Sequence, residues 1–195
     1  MGHLDALERA AKFLYRERKA ERVVYLSDDE DLDEIVQGWA ERLVGKNAGE
    51  EELLNRATER CLSATPAEIE DFLKNEQQRR SLKVFESLPG ESTRAIEILS
   101  GKVVVMIYDK AYLDEEDILP ATVLVFGKSD EPLVRRVGRR WFLSPGSFDQ
   151  AGVMLLDDQD SGIHVTLFDE KLEVSRRERL STGRGVKLRV SGADS

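Results

Sequence analysis

Cysteine and histidine, the side chains that most often hold transition metals, are scarce in this sequence of 195 residues. Cys61 is its one cysteine, so an internal disulfide and every thiolate-rich metal cluster are excluded. His3 and His164 are its two imidazoles, which excludes a three-histidine zinc site within one chain. A serine hydrolase mechanism would have to use one of these two residues as its base.

Long apolar runs are also missing. Continuous apolar stretches such as residues 103–108 are far shorter than the ~20 residues that a membrane-spanning helix needs. The first residues do not show the basic and then apolar regions of a secretory signal peptide. We therefore expect a cytoplasmic protein without a membrane partner.

Basic residues are fewer than acidic ones: the sequence has 29 lysines and arginines and 38 aspartates and glutamates, which gives a net charge of −9. A surface of this sign repels a phosphate backbone, so we expect no nucleic-acid partner. Residues 175–195 are the exception: six basic residues against two acidic ones give +4, which leaves −13 for residues 1–174. We predict a domain over 1–174 and a basic C-terminal tail over 175–195. Residues 186–190 alternate between apolar and basic side chains and could add a last strand.

Apolar residues recur at helical spacing in the first half of the chain. This spacing predicts helices over 4–14, 32–43 and 53–61, with a short buried strand over 22–26 after the first helix. Thr65, Pro66 and Glu68 have the order of a helix start, in which the threonine caps and the glutamate occupies the third position. That helix should continue to about Phe85.

The second half changes to the period of β-strands. We predict strands at 93–99, 103–108, 122–126, 133–137, 141–143, 153–156 and 163–168, several of them paired in hairpins. Early helices followed by such strands predict a layered α/β fold with mixed sheets.

Four segments resemble, in order, motifs of the calcineurin-like metallophosphoesterases, in particular the small bacterial phosphodiesterase branch. GHLDALE at 2–8 resembles the helix start after the first metal motif, and VVYLSDDED at 23–31 resembles the second motif. LVFGKSDEP at 124–132 resembles the late Gly-His-Thr-His motif, and RWFLSPGS at 140–147 resembles the Asn-Pro-Gly-Ser turn after it. The resemblance implies a metallophosphoesterase-like αββα sandwich of mixed sheets flanked by helices. Its first strand would lie before Met1.

The family holds two metal ions with aspartate, asparagine and histidine. By this resemblance Asp28 takes the position of the bridging aspartate and Asp31 that of a later one, with Ser27 in place of a glycine. Asn47 takes the position of the asparagine ligand, although no histidine follows it. Residues 28–34 contain six acids, which fit either a residual cation site or a solvated helix N-terminus.

The histidine positions of the family carry other residues. Asp109 or Tyr108 stands where a strand would end in a histidine ligand, and Lys128 and Asp130 replace the two histidines of the late motif. A lysine ammonium competes with a metal cation for the same space and charge. We therefore predict that Lys128 pairs with Asp28 or Asp109, unless it lies in a simple surface turn.

Two functions remain open. The first is a catalytically impaired metallophosphoesterase-like protein, a pseudoenzyme without a resident cofactor that binds a protein partner or forms a homodimer. The alternative is an active metal-dependent phosphodiesterase or phosphatase with an atypical site, holding Mn²⁺ or Mg²⁺ weakly at Asp28. Without the strand before the first helix, residues 23–26 should keep an open backbone edge, which a second copy or residues 186–190 could fill.

Overall fold

The structure is a computed structural model that describes residues 3–88, 90, 92–147 and 152–181. Its α-helices within these ranges are α1 (His3–Lys12), α2 (Asp31–Val44), α3 (Leu53–Cys61), α4 (Pro66–Ser81) and α5 (Glu115–Ile118). A π-helical turn, Phe13–Glu17, continues α1. Among the described residues, no helix is both long enough and apolar enough to cross a bilayer.

Ten strands form three sheets in the described part of the chain. They are β1 (Val23–Tyr25), β2 (Phe85–Ser87), β3 (Arg94–Leu99), β4 (Lys102–Ile107), β5 (Val123–Phe126), β6 (Leu133–Val137), β7 (Arg140–Ser144), β8 (Val153–Gln159), β9 (Gly162–Phe168) and β10 (Val174–Leu180). The sheet orders are β1-β2, β10-β9-β8 and β3-β4-β5-β7-β6. Parallel pairs join β1 to β2 and β4 to β5 to β7, and the remaining pairs are antiparallel.

The main core lies between the five-stranded and three-stranded sheets. Val104 and Val125 of the larger sheet share one apolar cluster with Val165 and Leu167 of the smaller. Because side chains alternate along a strand, Val105 and Leu124 face the opposite side and form another cluster with Ala121. The mixed α/β architecture predicted from the sequence is confirmed.

Helices α1 and α2 cover the two-stranded sheet. Leu7 and Ala11 of α1 pack against Tyr25 of β1 and Leu32 of α2. The other apolar positions of α1 and its π-turn, Ala10 and Phe13, pack instead on β8 and β9. Helix α1 therefore bridges two separate sheets.

The capping box of α4 is present as predicted. Thr65 Oγ1 accepts from the Glu68 backbone N–H, and the Glu68 side chain accepts from the Thr65 N–H. The helix ends at Ser81, earlier than expected, because a 3₁₀ turn follows and Phe85 begins β2 parallel to β1. Cys61 at the end of α3 is exposed, and α3 buries none of its residues.

Residues 175–180 do not form a free tail but most of β10. They pair with β9 although four of them are charged, because an outer strand of a sheet leaves such side chains in solvent. The strand predicted over 186–190 lies outside the described residues.

Candidate functional site

The carboxyl ends of β1, β4 and β5 meet at one edge of the molecule. The Gly127 backbone N–H donates to the carbonyl oxygens of Ile107 (3.1 Å) and Tyr108 (3.0 Å), and the Lys128 N–H donates to Tyr108 (2.8 Å). Leu26, after β1, lies so close that a Cβ on Gly127 would sit 2.1 Å from its carbonyl oxygen. Only glycine fits at position 127, because any side chain would collide with the Leu26 backbone. This close approach brings together the residues that follow β1, β4 and β5.

Lys128 and Asp109 form an ion pair at this edge. Lys128 Nζ lies 2.7 Å from Asp109 Oδ2, while Asp109 Oδ1 accepts from the Ala111 N–H at 2.9 Å. The Lys128 ammonium, with the Ala111 N–H, lowers the pKa of the Asp109 carboxyl. The predicted pairing of Lys128 is thus confirmed with Asp109, one of its two candidate partners.

A second group of polar residues surrounds Asp29. Its carboxylate accepts from Ser27 Oγ (2.6 Å), the Asp31 N–H (3.1 Å) and Tyr25 Oη (3.2 Å). Burial raises the pKa of Asp29, but these hydrogen bonds outweigh it and the net pKa is lowered. Burial also raises the pKa of Tyr25, which keeps its hydroxyl protonated and able to donate to Asp29. Asp29 is therefore held as an oriented carboxylate.

His3, at the start of α1, faces the same group. Its Nε2 lies 3.2 Å from Tyr25 Oη and 3.8 Å from Asp31 Oδ2. Ligand atoms of His3, Asp29 and Asp31 all lie within 4.8 Å of one another. One imidazole and two carboxylates form a donor set that suits a single borderline divalent cation such as Mn²⁺ or Zn²⁺. These three side chains therefore form a candidate mononuclear metal site.

The other sequence-predicted ligands lie away from this cluster. Asp28 is exposed and is not part of the His3 group. Asp31 begins α2, and Asn47 lies just beyond the end of this helix. Because α2 has 14 residues, about 21 Å of helix separates the two positions. The Asn47 carbonyl accepts from Arg56 and its side chain is exposed.

Asp130 lies near the ion pair in sequence but points to solvent. Its side chain is exposed, and its backbone carbonyl accepts from Ser147 Oγ at 3.4 Å. The two polar groups thus differ. The Asp109 carboxylate already bonds the ammonium of Lys128, whereas His3, Asp29 and Asp31 bring three potential metal ligands together.

Sequence reasoning chose Asp28 and Asp31 and missed Asp29. No local pattern separates Asp29 from Asp28, because β1 ends at Tyr25 and residues 27–29 form a bend, so the two-residue period of a strand does not extend to them. The neighbouring position of His3 depends on how α1 packs over β1.

No protein-family model and no curated protein matches the chain. Among solved structures, it is similar to a conserved protein from Streptococcus pneumoniae described as a predicted phosphoesterase, with 13% identity over 90% of both chains and a TM-score of 0.48. Yfce, a phosphoesterase from E. coli, is 13% identical over 92% of this chain and 94% of its own, with a TM-score of 0.48.

Wild-type Vps29 from Entamoeba histolytica, solved with Zn²⁺, is 17% identical over 55% of this chain and 77% of its own, with a TM-score of 0.37. Two of these three proteins are thus described as phosphoesterases, and the third was solved with a bound zinc ion.

Proposed function

We propose that this chain is a metallophosphoesterase-like protein without dinuclear metal catalysis, and that it acts by binding another protein or a second copy of itself. The observation that carries the first part is the 2.7 Å contact between Lys128 Nζ and Asp109 Oδ2. Where the resemblance places a metal-binding histidine, the chain supplies its own cation. That cation neutralises a carboxylate that would otherwise attract a metal.

The exposed apolar residues of α3 and α4 support the binding role. Leu54 and Leu62 are 76% and 82% exposed, and Leu73 on α4 is 60% exposed. Helix α3 buries none of its residues in this chain. Apolar side chains as exposed as these would be buried if a partner bound over the two helices.

The alternative function is a metal-dependent phosphodiesterase or phosphatase with an atypical, mononuclear site. The His3, Asp29 and Asp31 cluster favours it, because these donors suit one divalent ion. A bound ion could polarise a phosphoryl oxygen and lower the pKa of a coordinated water, which is the chemistry a metal supplies to ester hydrolysis. The chain's own part would be to orient Asp29 through Ser27 and Tyr25.

One experiment separates the two functions. The purified chain is soaked with Mn²⁺, dialysed and analysed for metal content, and turnover of bis(p-nitrophenyl) phosphate is measured for wild type and Asp29→Asn. The proposal expects fewer than two ions per chain and the same background turnover for both proteins. Two ions per chain, or turnover that Asp29→Asn abolishes, would establish the enzyme instead.

The binding role is tested first for a homodimer, by sedimentation velocity at several protein concentrations. If the surface of α3 and α4 is the interface, Leu54→Glu should shift a dimer to monomer. Asn55→Glu introduces the same charged residue at the next, also exposed position and should leave the dimer intact. A dimer unchanged by both variants would place the interface elsewhere.

A further inference from the structure

The hairpin of β6 and β7 is a basic region in an acidic chain. Residues 132–147 contain four arginines and no acidic residue, although acids outnumber basic residues in the sequence as a whole. Within the described residues, none of these four arginines forms an ion pair. The hairpin therefore presents positive charge that the described part of the chain does not neutralise.

Two of the four arginines have no other role in the fold. Arg136 lies over the Trp141 ring, 5.9 Å from its centre, and Arg140 bonds a backbone carbonyl. Arg135 on β6 and Arg139 in the turn are exposed, and neither forms a hydrogen bond with the described residues. Their guanidinium groups can bind carboxylates of a partner without breaking a contact of the fold.

Exposed apolar side chains accompany these arginines on one face of the hairpin. Val137, which is 53% exposed, pairs with Arg140 across the hairpin and lies two residues from Arg135, so the three share a face. Arg140 Nε donates to the Ile118 carbonyl at 3.0 Å, which places Leu119, 73% exposed, next to this face. We name as the hairpin face the residues Arg135, Val137, Arg139, Arg140 and Leu119.

A surface of complementary composition lies on α3 and α4. Three leucines of these helices are exposed, and each has an exposed glutamate three residues before it in the chain. The pairs are Glu51 with Leu54, Glu59 with Leu62, and Glu70 with Leu73. Because residues three apart are neighbours on a helix surface, an acidic and an apolar side chain lie together in each pair. We name these six residues the α3–α4 surface.

We propose that the hairpin face of one copy of this chain binds the α3–α4 surface of a second copy. The proposal rests on the binding role proposed above and names the surface that the leucines of the partner meet. In this contact Val137 and Leu119 pack against the leucines, and the arginines pair with the glutamates. Arginine is enriched at protein interfaces, where its planar guanidinium can bind a carboxylate through two hydrogen bonds.

Charge is the reason to choose a second copy as the partner. Two copies of net charge −9 repel one another, so a contact between them must bring opposite local charges together. The hairpin face supplies three arginines and the α3–α4 surface three glutamates. Within the described residues of one copy, none of these three glutamates forms an ion pair. The chain thus carries both halves of the contact.

Sedimentation velocity of the full-length chain at several protein concentrations, in about 0.05 M and about 0.5 M NaCl, tests the proposal. We expect a reversible association that weakens at the higher salt, because salt screens the ion pairs. The hairpin variant, Arg135→Glu with Arg139→Glu, should weaken the association at least about tenfold, since it places acids against acids. Arg177→Glu with Arg179→Glu makes the same charge change at exposed positions of β10 and should have little effect.

An exchange of charges identifies the partner surface. The helix variant, Glu59→Arg with Glu70→Arg, should also lose self-association, because both of its surfaces are then basic. Net charge alone would strengthen its association, since the variant is less acidic than the wild type. A mixture of the hairpin variant and the helix variant should associate again, because each supplies the charges that the other lacks. This recovery also shows that both variants fold.

Each of the other results would overturn the proposal. A wild type that stays monomeric would exclude self-association and leave a different protein as the partner in the proposed function. Association that Leu54→Glu abolishes but the hairpin variant leaves intact would keep the proposed function and remove the hairpin face from it. Equal losses in the hairpin variant and the β10 control, or no recovery in the mixture, would mean that these two surfaces do not meet.

Discussion

Lys128 Nζ and Asp109 Oδ2 lie 2.7 Å apart, where β5 and β4 end side by side. The Asp109 side chain is 12% exposed and that of Lys128 is 53% exposed, so the carboxylate is fixed within the fold and the lysine reaches it from solvent. The lysine can be removed without opening the core. Replacing Lys128 therefore measures how much its ammonium lowers the pKa of Asp109.

Lys128→Met should raise the pKa of Asp109 toward its ordinary value, because the ammonium that lowers it is gone. A pH titration of the side-chain carboxyl by ¹³C NMR measures this change. In the wild type, a lowered pKa contributes stability above the ordinary value of 3.8 that is lost as the pH falls through the lowered one. The free energy of unfolding of the variant should therefore fall less steeply than that of the wild type as the pH decreases through this range.

Lys74→Met is the matched control, since it removes an exposed lysine from α4 instead. It should leave the titration of Asp109 unchanged. A pKa of Asp109 that does not respond to Lys128→Met would mean that the Ala111 N–H alone sets it.

Two neighbouring aspartates should respond differently to a divalent cation. Asp29→Asn should weaken Mn²⁺ binding by more than about tenfold, because Asp29 lies beside His3 and Asp31. Asp28→Asn removes the adjacent, exposed carboxylate and should change the affinity little. Isothermal titration calorimetry with Mn²⁺ measures both. A larger loss of Mn²⁺ affinity for Asp28→Asn than for Asp29→Asn would mean that Asp28 is the ligand, as the sequence resemblance implies.

Gly127→Ala should destabilise the fold by about 2 kcal/mol, since its Cβ would meet the Leu26 carbonyl oxygen at 2.1 Å. This oxygen belongs to the backbone, so it cannot move aside as the end of a flexible side chain could. Gly38→Ala is the same substitution within α2, where the nearest atom is Arg42 Nη1 at 3.9 Å. It should stabilise by about 0.5–1 kcal/mol. Urea unfolding measures both, and effects of the same sign would refute this account of Gly127.

Glu76→Gln should destabilise the helical part of the chain by about 3 kcal/mol, because it leaves the buried Arg79 and the largely buried Arg56 without their counter-charge. Glu76 bonds Arg56 at 2.7 Å and Arg79 at 2.8 Å, and the three side chains are 7%, 11% and 6% exposed. In the described structure, one terminal nitrogen of each arginine already has no hydrogen-bond partner. Glu70→Gln on the exposed side of α4 is the control and should cost little.

The pH dependence follows from the same contacts. Burial raises the pKa of Glu76, but Arg56 and Arg79 outweigh it and lower the net pKa. The stability of the wild type should therefore be complete above the ordinary value of 4.5 and fall as the pH drops through the lowered one. Thermal unfolding across this range should show a slope that Glu76→Gln lacks.

Local patterns in the sequence determined most of the secondary structure. The capping box at Thr65 and Glu68 was predictable because its contacts span only three residues. Most strands of the second half were predictable from runs of apolar residues, although β10 was not. A partner for Lys128 was predicted from the family resemblance, whose motif order places Lys128 after β5. Strand β2 was not, because Phe85–Ser87 is extended only through pairing with β1, some sixty residues earlier.

Tertiary structure alone decided which carboxylate is oriented and where the sheets remain open. Asp28 and Asp29 are equivalent by composition, and the difference between them arises because the backbone turn after β1 directs Asp29 toward Ser27 and Tyr25. The meeting of His3 with Asp31 depends on the packing of α1. The cavity between β1 and β8 likewise exists because α1 packs on both of their sheets while no described strand joins them, and no local pattern encodes a distance between elements so far apart in the chain.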